Sequence, residues 1–126
     1  MPGSARLFIA LGALLAAAAV VLGAFGAHGL RARLSAEALA IYQTGVQYQL
    51  WHALGLLGVG LACLHLPESG WLRAAGSLLA LGIVLFSGSL YVLAFGGPKG
   101  LGAVAPIGGG AFLLGWIAFA VAVLRP

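Results

Sequence analysis

Eight charged side chains divide this chain into four long neutral runs, and that spacing constrains the fold more than any other feature. The cations are Arg6, Arg31, Arg33, Arg73, Lys99 and Arg125; the acids are Glu37 and Glu68. Between them lie Leu7–Leu30 (24 residues), Ala38–Pro67 (30), Ala74–Pro98 (25) and Gly100–Leu124 (25). About 20 apolar residues in a helix cross a hydrocarbon core ~30 Å thick, so every run is long enough to span. Backbone groups in lipid must be satisfied within the segment or within a closed barrel. The runs lack the period-two alternation of barrel strands, so they are read as helices. Charged residues make up 6% of the 126 and hydrophobic ones 63%; a soluble domain carries roughly 25% charged residues. So little polar surface excludes an ordinary globular enzyme, a disordered chain and a disulfide scaffold. The expected fold is all-α: one integral membrane bundle over residues 1–126, with four transmembrane helices at about 6–27, 44–66, 71–95 and 105–124.

Local signals place the ends. Ser35 is a plausible N-cap, and Glu37 then sits in a first turn, where the helix dipole favours an anion. A short interfacial helix is therefore expected to lead into the second span. Pro67 closes that span, Gly96-Gly97-Pro98 closes the third, and Pro106 suits the first turn of the fourth. The first run is too long for the 7–15-residue core of a secretory signal and reads as a retained span. Arg6, Arg73 and Arg125 fall on one side of the bundle and Arg31, Arg33 and Lys99 on the other, so the positive-inside rule has no excess to count. The net charge of +4 reflects a shortage of acids rather than a basic patch, and no nucleic-acid partner is expected. Cys63 has no second cysteine to pair with and reads as packing.

Lipid is as apolar as leucine, so membrane helices associate through small residues and polar contacts. On the first helix Gly12, Ala16, Ala19, Gly23 and Gly26 follow helical spacing; on the fourth Gly108, Ala111, Gly115, Ala118 and Ala122 do the same. Each set forms a narrow stripe, expected to pack against the other or against the second and third helices.

The second helix carries a polar face. Tyr42, Gly45, Tyr48, Gln49 and His52 fall within about a third of its circumference, and Ser87, Ser89 and Tyr91 on the third helix are potential partners. Polar groups at this depth face protein or water, not lipid. One reading is an interhelical hydrogen-bond network that fixes register, at ~0.6 kcal/mol per bond; the other is a proton relay or small-ligand site. His28 ends the first helix between glycines. A haem between His28 and His52 is rejected because His52 lies about a dozen Å deeper than an interfacial His28; no cofactor is expected. Gly100-Leu101-Gly102-Ala103-Val104-Ala105 matches a dinucleotide fingerprint in letters only, since no strand precedes it and no acid follows Glu68. Neither a carboxylate pair nor a metal-ligand cluster falls within a span.

Four pieces carry a family resemblance: Leu22-Gly23-Ala24-Phe25-Gly26-Ala27-His28-Gly29-Leu30, Tyr42-Gln43-Thr44-Gly45-Val46-Gln47-Tyr48-Gln49-Leu50-Trp51-His52-Ala53, Phe86-Ser87-Gly88-Ser89-Leu90-Tyr91, and Pro106-Ile107-Gly108-Gly109 through Gly115-Trp116. In that order they resemble the small membrane-protein family called domain of unknown function 423, which includes eukaryotic transmembrane protein 256. The resemblance implies a multi-pass protein of a bacterial inner membrane, or of an organelle for the eukaryotic relatives. It supplies no catalytic residue. It does single out His28, Tyr48, Gln49, His52, Ser87, Ser89 and Tyr91 as motif members. The expected function is that of a structural or accessory protein, not an enzyme, whose partners are the lipid bilayer and a second copy or a larger membrane complex. The alternative is a small oligomeric transporter or channel with a polar pathway around His52.

Overall fold

The computed structural model describes residues 1–125. They form four helices and, among the described residues, no strand. Helix α1 spans Gly3–His28 and α2 spans Ala36–Cys63. Helix α3 spans Gly70–Ala94, and α4 spans Val104–Leu124 after a 3₁₀ turn at Lys99–Ala103.

The ends follow from local chemistry. Ser35 Oγ accepts the Ala38 N–H at 3.1 Å, and Ser69 Oγ accepts the Leu72 N–H at 3.2 Å, so α2 and α3 each open on a serine cap. Replacing Ser35 with alanine is expected to cost roughly 0.5–2 kcal/mol, read as earlier amide hydrogen exchange confined to the first turn of α2. Helix α3 ends on Gly96, whose φ of +85° is the one left-handed backbone among the described residues. Its N–H bonds to Leu93 O and the Gly97 N–H to Val92 O, the paired bonds of a Schellman cap. A side chain at Gly96 would strain that turn, and Pro98 prevents the helix from resuming.

Two expectations are corrected. The anticipated interfacial lead-in is not a separate element: α2 begins at Ala36 and runs without a break to Cys63. Nothing in Ala36–Ile41 breaks a helix, so the Ser35 cap propagates straight into the span. Three helical stretches, Gly3–His28, Gly70–Ala94 and Lys99–Leu124, are long and apolar enough to cross a membrane. Helix α2 exceeds them in length, at 28 residues, but falls below them in hydropathy. Its polar side chains are what lower it: Gln49 bonds to α1 and α3, Thr44 bonds within its own helix, and Gln43 and Gln47 are exposed.

Contacts at glycines fix the topology. A methyl at Gly12 would lie 2.8 Å from Ala53 O, and one at Gly60 would lie 2.9 Å from Ile9 N. The start of α1 thus lies beside the end of α2, in an antiparallel hairpin with backbones in contact. A methyl at Gly108 would lie 2.4 Å from Phe86 N, and one at Gly115 would meet Leu79 and Ala75 O, so α3 and α4 form a second antiparallel hairpin. The α1 stripe faces α2: Gly12 and Ala19 are buried, Ala16 and Gly23 partly so. The α4 stripe faces α3, with Gly108, Ala111, Gly115 and Ala118 all buried. Gly45, against which the Tyr91 ring lies, joins the hairpins through α2 and α3.

Helix α3 contains one irregularity that no residue type announced. Ile83–Ser87 forms a π turn, in which the Gly88 N–H bonds to Ile83 O, five residues back. All eight charged side chains are exposed and lie near the helix ends, while Leu14, Val21, Val84, Leu113 and Ile117 stand exposed along the middle of the bundle.

Candidate functional site: a polar seam beside an aromatic cluster

Gln49 sits at the middle of α2 with 4% of its surface exposed. Its Nε2 donates to Leu15 O on α1 at 2.8 Å, and its Oε1 accepts from the Tyr91 hydroxyl on α3 at 2.6 Å. One amide therefore ties three helices together, using its donor on one side and its acceptor on the other. A turn away, Ser87 Oγ donates to Gly45 O on α2 at 2.7 Å. Nearer the helix end the Tyr42 hydroxyl donates to Leu22 O on α1 at 2.5 Å, with the Tyr42 and Tyr91 rings 5.5 Å apart. The close approach of Tyr91 depends on Gly45: a methyl there would come within 2.8 Å of the ring.

His52 lies outside this seam. Its Nδ1–H donates to Tyr48 O in its own helix at 2.7 Å, and its ring lies flat on Phe112, with centroids 3.5 Å apart and planes 11° from parallel. Trp116 closes in at 5.8 Å, while Tyr48 packs on Phe86 at 4.6 Å. The result is an aromatic cluster joining α2 to α3 and α4, with the imidazole held as an aromatic plate. No buried side-chain nitrogen or oxygen among the described residues lacks a hydrogen-bond partner.

The expected set thus divides. Gln49, Tyr91 and Ser87 meet across helices, whereas Tyr48 and His52 belong to the aromatic cluster. Ser89 turns back to bond Leu85 O within α3. His28 is exposed at the end of α1 and joins none of these groups. Sequence reasoning missed Phe86, Phe112 and Trp116, and the acceptor role of Leu15. Phe112 was within reach: it lies four residues beyond Gly108, on the helix face already marked by small residues. The Leu15 carbonyl was not, because a backbone acceptor has no side-chain signature.

Two surface cavities lie at opposite ends of the bundle. One, of about 390 Å³, is lined by residues 65–71 and Arg125; the other, of about 340 Å³, by Gly26, Ala27, Arg31, Leu39 and Gln43. Neither is lined by Gln49, His52 or Tyr91.

Apolar helices with charges confined to their ends and polar groups satisfied inside define an integral membrane protein. The comparisons agree. Residues 22–109 match the family described as "Protein of unknown function (DUF423)", and the chain belongs to that family. It is 48% identical over 120 residues to UPF0382 membrane protein YwdK of Bacillus subtilis, covering 95% of this chain and 98% of that protein. It is 43% identical over 106 residues to UPF0382 inner membrane protein YgdD of Escherichia coli, covering 84% and 80%. A UPF0382 membrane protein of Haemophilus influenzae is 46% identical over 101 residues, 80% of each chain. No solved structure matches. The matched stretch contains all seven polar residues singled out above.

Proposed function

We propose that this protein is a four-span bundle of the bacterial inner membrane that works without catalysis, as a structural or accessory component bound to lipid and to a larger membrane protein or a second copy. Helix α2 is the fourth span. With α1 along one side and α3 along another, its buried polar side chains Tyr42, Gln49 and His52 meet protein rather than lipid. The observation that carries the reading is the closed seam Leu15–Gln49–Tyr91. A side chain that is 4% exposed and engaged on both sides fixes helix register, with its donor on α1 and its acceptor on α3. The inner-membrane setting is supported by the E. coli relative's name.

The test is extraction of the tagged protein from native membranes into polymer-bounded nanodiscs, without crosslinker. A membrane protein or second copy is expected at fixed stoichiometry. Recovery always as a lone chain with lipid overturns the accessory role.

The second reading, an oligomeric transporter or channel with its pathway around His52, draws on the π turn beside the seam, since such turns recur at functional sites. Small exporters generally hold a carboxylate inside the membrane, and here both acids lie outside the long helical interiors, with His52 left to substitute. Under the accessory reading, His52→Ala leaves ion and solute leakage from proteoliposomes at the wild-type level. A change in flux of tenfold or more would favour the pathway.

A further inference from the structure

We propose that the 390 Å³ cavity at the α2–α3 end of the bundle binds the headgroup of a zwitterionic phospholipid carrying a primary ammonium, that is, a phosphoethanolamine group. This inference deepens the accessory reading and rests on its bilayer setting. The cavity forms where α2 ends, α3 begins and α4 ends, at the level where headgroups meet the hydrocarbon, and Trp71 stands half exposed on its rim, as interfacial tryptophans do. Its volume falls within the range of small-ligand sites.

The charges on its walls select the ligand. Glu68 is, among the described residues, the single acidic side chain at this end of the bundle, and Arg125 and His65 line the same cavity. Among the described residues no ion pair within 4.0 Å joins Glu68 to Arg125, and both line the cavity. A lone anion placed there would meet the Glu68 carboxylate, and a lone cation would meet Arg125. A headgroup with a phosphate at one end and an ammonium at the other matches both. The ammonium must carry N–H groups to hydrogen-bond the carboxylate, which a quaternary choline lacks. Leu66 and Pro67 supply an apolar wall for the glycerol and first acyl carbons. The cavity at the opposite end provides the internal contrast: Arg31 and Gln43 line it and no acid does, so it can receive a phosphate but offers an ammonium no counter-charge.

The experiment is native mass spectrometry of the full chain, released from detergent after exchange into equimolar phosphatidylethanolamine, phosphatidylglycerol and phosphatidylcholine. Retention of phosphatidylethanolamine is expected to exceed that of each of the others by about fivefold, the range of one exposed charge pair. Glu68→Gln is expected to remove the preference over phosphatidylcholine, and Arg31→Gln, at the other end, to leave it intact; both variants are checked for unchanged helical circular dichroism. Soluble phosphoethanolamine forms the second arm, and failure to displace the bound lipid shows that the acyl-linked headgroup is the ligand. Equal retention of the three lipids, a preference that survives Glu68→Gln, or free displacement by the soluble headgroup overturns the proposal. An alkaline carbonate wash separates the two levels: protein that stays in the membrane without lipid preference refutes the headgroup site alone, and protein that washes out refutes the bilayer setting beneath it.

Discussion

Gly108→Ala will lower the thermal midpoint of the detergent-purified bundle, while Gly109→Ala and Gly110→Ala, on the same helix, will leave it unchanged or raise it. The added methyl at Gly108 lies 2.4 Å from Phe86 N and 2.8 Å from its Cα. Those are backbone atoms of α3, so relief requires the two helices to separate rather than a side chain to rotate. Overpacking of this kind costs roughly 1–3 kcal/mol. At Gly109 and Gly110 the methyl meets nothing within 4 Å, and a helical alanine in place of glycine gains about 0.5–1 kcal/mol. Gly115→Ala should fall between, because its nearest neighbour is the Leu79 side chain at 2.9 Å, which can shift; Gly115→Leu, which also presses on Ala75 O, should loosen the bundle. Equal midpoints for the Gly108 and Gly109 variants would dissolve the α3–α4 seam.

The second large effect is a coupling. Tyr91→Phe removes one hydrogen bond and leaves the Gln49 oxygen unpaired, at about 0.6–1.7 kcal/mol. Gln49→Leu removes two bonds and strands the Tyr91 hydroxyl between α2 and α3, at roughly 1–3 kcal/mol. The double variant should cost clearly less than the sum, because each single change orphans a group that the double change eliminates. Denaturation of all four proteins in mixed detergent measures the cycle. Additivity within about 0.3 kcal/mol would mean that the two side chains do not share a bond.

What the sequence disclosed depended on the kind of signal. The apolar runs were legible because charge is excluded from hydrocarbon, and the exposed positions of Arg31, Arg33, Arg73 and Lys99 at helix ends obey that rule. The start of α2 was legible from the Ser35 cap and Glu37 in its first turn; what polarity could not mark is a boundary between the lead-in and the span, because polarity does not interrupt a helix. The Ser87–Tyr91 pairing and the polar face of α2 were legible from a 3.6-residue period. The separation of His52 from Gln49 was not: three residues apart, they point to different neighbours, and the aromatic plate that receives His52 comes from α4, distant in sequence. The aromatic cluster is a tertiary fact, whereas the small-residue stripes are a local one.

The π turn has a geometric result that reaches past its own five residues. An extra residue in one turn advances the phase of everything beyond it by about 100°. Before the turn, Leu79 and Gly82 look toward α4, against Gly115, Phe112 and Gly108; Ser87 at its last position and Tyr91 beyond it look toward α2, against Gly45 and Gln49. A single rod thus serves α4 along one stretch and α2 along another, and at the turn itself Phe86 touches both, lying against Gly108 of α4 and Tyr48 of α2, so the two hairpins are riveted into one body there.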